Sequence, residues 1–74
     1  MEHINTAMME YLKGKRAYHV ANWKTFISNP VGVAEHGDFM ETLENELEKI
    51  ARYDELIASL EGLNDLPNSG VLQE

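Results

Sequence analysis

The stretch that decides the fold is Ser28-Asn29-Pro30-Val31-Gly32-Val33-Ala34-Glu35-His36-Gly37-Asp38. Proline disfavours helical geometry at the residue before it, so a helix arriving from the N-terminal side must end before Pro30. Asp38 is a good helix N-cap, and Glu41 three positions later completes a capping-box-like pair. The stretch therefore predicts a nine-residue turn, residues 29–37, between two helices.

The predicted helices cover residues 4–28 and 38–62, because Gly62 suits the left-handed position that closes a helix. The segment 64–74 contains Pro67 and Gly70 and is predicted to be a flexible tail. Two helices of matched length favour an all-α fold, an antiparallel two-helix hairpin over residues 1–63. The second helix carries a run of apolar positions: Phe39, Met40, Leu43, Leu47, Ile50, Tyr53, Ile57 and Leu60.

Length and charge narrow the class of protein. The 74 residues allow one domain, and the chain has no Cys, so no disulfide can stabilise it. The net charge of −7 argues against binding to duplex nucleic acid or to an anionic membrane. No apolar run approaches the roughly 20 residues that span a bilayer, and the N-terminus is polar, so we predict a cytosolic protein.

The first helix has more apolar surface than one partner helix can cover. One stripe at helical spacing contains Ile4, Met8, Tyr11, Tyr18, Asn22 and Phe26. A second contains Met9, Leu12, Val20, Trp23 and Ile27. Two facing hairpins would bury both stripes as a four-helix bundle, so we predict a homodimer or higher homo-oligomer. We assign its interface to the second stripe.

Candidate catalytic residues do not form a known pattern. His36 lies between Glu35 and Asp38, but no His-x-x-x-His pair and no Gly-x-Ser-x-Gly motif occurs. We predict that His19 hydrogen-bonds across the seam to Glu46 or Glu48. The sequence thus favours a protein that is not an enzyme, with no metal site and no cofactor.

A non-catalytic ligand site is a further hypothesis. Backbone amides near Gly32 and Val33 precede a helix N-terminus, where the macrodipole favours anions. Cations and aromatic rings alternate nearby in the first helix, a mixture that can hold a phosphate and stack a base. The candidate residues are Tyr11, Lys13, Lys15, Arg16, Lys24, Gly32, Val33 and His36. In the alternative, the basic segment pairs with the acidic second helix.

The run Asn29 to His36, the Leu-x-x-x-Leu-x-x-Ile-Ala pattern from Leu43 to Ala51, and the following Tyr-Asp-Glu-Leu resemble one group of proteins. These are small uncharacterised helical-hairpin proteins of tailed bacteriophages with an Asn-Pro-Val-Gly turn. The chain departs from them at Ala34 and Gly37, where Gly and Pro are expected. The resemblance implies a phage accessory protein in the cytoplasm of an infected bacterium and transfers no catalytic residue.

Together these features predict a homo-oligomeric binding module that acts on a host factor. The alternative is a sponge that sequesters a host nucleotide-type immune signal, an anti-defence role, in pockets between subunits. A weaker alternative is a minor structural virion protein.

Overall fold

The computed structural model describes residues 2–30 and 38–66, and it forms an antiparallel hairpin of two packed helices. Helix α1 is Glu2–Ser28 and helix α2 is Phe39–Asn64. The all-α hairpin predicted from the sequence is therefore confirmed. Residues 31–37, most of the predicted turn, and residues 67–74 of the predicted tail lie outside the described residues.

Helix α1 ends where the proline rule requires. It stops at Ser28, two residues before Pro30, and the amide of Asn29 donates to the carbonyl of Thr25 at 3.0 Å. The Ser28 hydroxyl donates to the Lys24 carbonyl at 2.6 Å, so side chain and backbone both satisfy carbonyls of the last turn. These bonds fix the end of α1 at the entrance to the turn.

Helix α2 begins with the predicted cap. Asp38 is extended, and its Oδ1 accepts from the amides of Met40 at 2.9 Å and Glu41 at 3.3 Å. The end of α2 differs from the prediction, because Gly62 is helical and the helix runs on to Asn64. Asp65 closes it in right-handed geometry by donating to the carbonyl of Glu61 at 3.1 Å, so no left-handed glycine is needed.

Each helix packs through a seam that repeats with alternating spacings of three and four residues, which is typical of coiled coils. The seam of α1 contains the covered residues Asn5, Met9, Leu12, Arg16, His19, Trp23 and Phe26. The seam of α2 contains Phe39, Leu43, Glu46, Ile50, Tyr53, Ile57 and Leu60. Met40 and Leu47, two predicted seam positions of α2, are instead exposed, because each lies one residue beyond a seam residue.

The core between the two helices is small. Among the described residues only Leu12 and Leu43 are buried, with 6% and 8% of their surfaces exposed. The molecule measures 54 × 18 × 15 Å, and its radius of gyration is 16.9 Å. A compact domain of this length would have a radius of gyration of about 11 Å. The hairpin is therefore a rod with one narrow line of packing.

Candidate binding surface

A polar cluster crosses the middle of the seam. His19 Nδ1 lies 2.8 Å from Glu46 Oε1, and the Asn22 amide donates to the same oxygen at 3.2 Å. The His19 ring also stacks on Tyr53, with ring centroids 6.0 Å apart and planes 14° apart. The predicted bond from His19 to Glu46 is confirmed. Because these bonds connect α1 to α2 at one level, they help to set the register of the hairpin.

This polar cluster has a structural role. The side chains of His19 and Glu46 are only 12% and 16% exposed. An ionised carboxylate can only accept, so Nδ1 of His19 carries the proton and donates it. Among the described residues, no buried side-chain nitrogen or oxygen lacks a hydrogen-bond partner. The imidazole and the carboxylate thus satisfy each other.

The seam residue Arg16 donates through Nε to Oδ1 of Asp54, which lies beside the seam. Both side chains are about half exposed, so this ion pair contributes little to stability. It nevertheless agrees with the predicted pairing of the basic segment of α1 with acidic α2. Arg16, one of the candidate ligand residues, is therefore engaged within the chain.

A second line of large side chains runs along α1 outside the seam. We call it the outer stripe; its spacings also alternate between four and three, and its members are Ile4, Met8, Tyr11, Lys15, Tyr18 and Asn22. Ile4, Met8, Tyr11 and Tyr18 are each about half exposed. Lys15 Nζ lies 6.0 Å from the centroid of the Tyr18 ring, within range of a weak cation–π contact. A helix with two such lines has more apolar surface than one neighbouring helix covers.

The outer stripe defines one face of the hairpin. Each of its residues precedes a seam residue and is rotated from it by about 100° around the helix. The two antiparallel helices are related by a pseudo-two-fold axis perpendicular to the plane that contains both helix axes. This axis places the residues that precede seam residues on the same side of that plane in both helices. The residues of α2 that precede its seam therefore share this stripe face with α1: Thr42, Asn45, Lys49, Arg52, Leu56, Ser59 and Leu63.

The stripe face has an apolar half and a basic middle. The half nearest the chain termini, the terminal half, presents Ile4, Met8, Tyr11, Leu56 and Leu63. Lys15, Lys49 and Arg52 lie around the middle of the face, and its turn half presents the uncharged Tyr18, Asn22, Thr42 and Asn45. No carboxylate occupies any of these positions, although the chain has 13 acidic residues. Within the two helices the stripe face is therefore free of carboxylates, and Asp38, which precedes the seam residue Phe39, lies at its turn end.

The opposite face consists of the residues that follow seam residues, and its apolar half lies towards the turn. Its turn half presents Val20, Ile27, Met40 and Leu47, with Lys24 and Glu44 beside them. Its terminal half presents the carboxylates of Glu10, Asp54 and Glu61 together with Lys13. The hairpin thus carries two apolar areas, at opposite ends and on opposite faces.

The candidate ligand residues do not converge within one chain. Tyr11 and Lys15 lie on the stripe face, whereas Lys13 and Lys24 lie on the opposite face. Gly32, Val33 and His36 lie outside the described residues. The proposed pocket was one between subunits, so its existence stays a prediction.

The residues predicted for the oligomer interface lie mainly inside the hairpin. Leu12 is buried, and Met9, Val20 and Trp23 are partly covered. Ile27 is exposed. Met9, Leu12 and Trp23 are seam residues, so α2 already covers the side of α1 that they occupy. A contact between copies through these five residues stays a prediction, and the outer stripe is the longest line of free apolar surface on α1. Its regular spacing was visible in the sequence, but both lines alternate between three and four residues, so only packing on α2 identifies the inner line.

The described residues offer little else for chemistry. A groove of about 430 Å³ at the open end is lined by Glu2, Asn5, Thr6, Met9, Glu10 and Asn64. No group of three or more His, Asp or Glu side chains within residues 2–30 and 38–66 could hold a metal ion. Neither of the two described helices is long and apolar enough to cross a membrane.

The fold and the surface define a class, a short helical hairpin with exposed apolar faces. Comparisons of the chain with protein-family models, with curated proteins and with solved structures found no match.

Proposed function

We propose that this chain is a non-enzymatic binding module that acts as a homo-oligomer and binds another protein. The observation that carries the proposal is that nine large apolar side chains are exposed among the described residues, of which only two are buried. Each exposes between 45% and 69% of its surface: Ile4, Met8, Tyr11, Tyr18, Ile27, Met40, Leu47, Leu63 and Leu66. Exposed apolar surface on this scale marks an interface.

The total surface area agrees with the same proposal. The chain exposes 5720 Å². A globular monomer of 8.4 kDa would expose about 4,600 Å². A chain with more surface than a globular protein of its mass is expected of a rod, and a standard interface would cover roughly 800 Å² of it on each partner.

The partner class follows from the resemblance of the turn. Small phage proteins with an Asn-Pro-Val-Gly turn would meet host proteins during infection, so we propose a host protein as the second partner. The polar groups of the hairpin support binding rather than catalysis, because His19, Glu46, Arg16 and Asp54 are used in contacts between the helices.

Analytical ultracentrifugation of the purified chain tests the proposal. At about 1–100 μM protein we expect a mass of at least two chains, decreasing towards the single chain on dilution. A single species of 8.4 kDa throughout that range would overturn the proposal, since no assembly would then cover the exposed side chains.

A further inference from the structure

We propose that successive copies of the chain assemble with the stripe face of one copy against the opposite face of the next. This inference rests on the self-association proposed above and specifies its surfaces. The contact is heterologous, because the two copies contribute different patches. Each copy therefore has two binding faces, and copies that follow each other along the normal to these faces form an open stack.

The apolar areas fit this arrangement. The stripe face is apolar in its terminal half, at Ile4, Met8 and Tyr11, whereas the opposite face is apolar in its turn half, at Met40 and Leu47. A neighbour turned by 180° about the normal to the hairpin places its turn half over the terminal half of the first copy. The two apolar areas then meet and remove each other from water.

The charges fit the same arrangement. Lys15, Lys49 and Arg52, around the middle of the stripe face, then lie against the middle of the neighbour's opposite face, next to its terminal half. That half carries Glu10, Asp54 and Glu61, which outnumber Lys13 even where Arg16 neutralises Asp54. Opposite charges across an interface fix its orientation and exclude wrong pairings.

A symmetric pairing of two stripe faces fits poorly. If the two copies run parallel, their apolar halves meet, but three basic side chains of each copy, Lys15, Lys49 and Arg52, are brought together without a helical carboxylate on either face. If they run antiparallel over their full length, the same central charges again face each other, and each apolar half lies against an uncharged polar turn half. Both arrangements bury unpaired charge, which is costly.

Two double variants separate the alternatives. Met8→Glu with Tyr11→Glu places two charges on the stripe face, and Met40→Glu with Leu47→Glu places two on the opposite face. The four positions are similarly exposed, and both variants gain the same charge, so each is the matched control of the other. Each variant alone loses the contact that continues the assembly, and we expect both to sediment as single chains.

Mixing the two variants is the decisive step. The intact opposite face of the first variant can bind the intact stripe face of the second, so a 1:1 mixture should form a two-chain complex of about twice 8.4 kDa. A symmetric interface predicts no such rescue. Retention of the wild-type mass by either variant alone, or the absence of a complex in the mixture, would overturn the inference. A wild-type chain that is itself monomeric would instead contradict the proposed function.

A measurement on the unaltered chain covers the case in which single variant chains fail to fold. Met8 and Met40 lie on the two different faces and are both exposed in the single hairpin. Hydroxyl-radical oxidation followed by mass spectrometry reports both sulfurs at once. We expect the oxidation rates of Met8 and Met40 to fall together as the protein is concentrated. Protection of Met8 alone would indicate symmetric pairing of stripe faces and overturn the inference.

Discussion

His19 and Glu46 occupy seam positions where an apolar pair would pack. Glu46 accepts from both His19 and Asn22, so one carboxylate satisfies two donors between the helices. A seam built only of apolar side chains would tolerate a shift of α2 along α1 by one heptad. This single polar level makes such a shift costly, because the shifted donors would lose their acceptor.

Glu46→Ala tests this role. The change leaves the His19 Nδ1–H and one Asn22 N–H without an acceptor in a covered position, so we expect a loss of roughly 1–3 kcal/mol in the free energy of unfolding. The measurement is urea unfolding followed by circular dichroism at one fixed protein concentration. Glu48→Ala, at an exposed position of the same helix, is the control and should change stability by less than about 0.5 kcal/mol. Equal effects of the two changes would contradict the role of Glu46.

The double change His19→Leu with Glu46→Leu separates the loss of the polar pair from the cost of leaving its donors unsatisfied. Replacing a largely covered polar pair by apolar side chains is often neutral or stabilising. This variant therefore shows which part of the loss in Glu46→Ala comes from the donors that it leaves unsatisfied.

At the scale of the helices, local signals predicted much of the fold. Pro30 placed the end of α1, and Asp38 placed the start of α2 together with its capping bonds. The end of α2 was missed because Gly62 tolerates ordinary helical geometry as well as the left-handed geometry that was expected. Local sequence also did not show which of the two apolar lines of α1 packs on α2. Leu12 and Tyr11 are both apolar, and only packing on α2 distinguishes them.

Gly14 gives a test at this scale. It lies in the middle of α1 on the side away from α2, and a Cβ built there would have no atom of the described chain within 4 Å. Ala is favoured over Gly in a helix interior by about 1 kcal/mol. We therefore expect Gly14→Ala to raise the free energy of unfolding by about that amount.

The same experiment checks the faces of the assembly. Gly14 lies on neither the stripe face nor the opposite face, so the sedimentation profile of Gly14→Ala should match that of the wild type. Gly62→Ala, at a second open helical site closer to a helix end, is the comparison and should stabilise less. Weakened assembly in Gly14→Ala would mean that a neighbour approaches the backbone at this position.

At the scale of the whole molecule, the proposed assembly would couple stability to association. Within residues 2–30 and 38–66 only Leu12 and Leu43 are buried, so this part of the chain has little apolar burial to offset the loss of chain entropy. Binding of another copy adds to the stability of the folded chain by mass action. The sequence indicated this coupling through the apolar surplus of α1, but which faces meet follows only from the register of both helices.

The melting temperature should therefore depend on protein concentration. Over a hundredfold dilution we expect the midpoint to fall by several degrees, since folding and assembly share one equilibrium. Differential scanning fluorimetry through Trp23 can follow the transition, because Trp23 lies in the seam. The double variant Met8→Glu with Tyr11→Glu should melt at a temperature that does not change with concentration. A concentration-independent midpoint in the wild type would show that the hairpin is stable alone.

The narrow core also has a consequence inside a cell. If the proposed assembly forms, a newly made chain that has not yet met another copy holds its helices together weakly, and its backbone is open to proteases during each separation. When synthesis is slow, most chains would then be degraded before they meet another copy. When synthesis is fast, most chains would assemble and persist. The amount of working protein should accordingly rise more steeply than the amount of messenger RNA that encodes it.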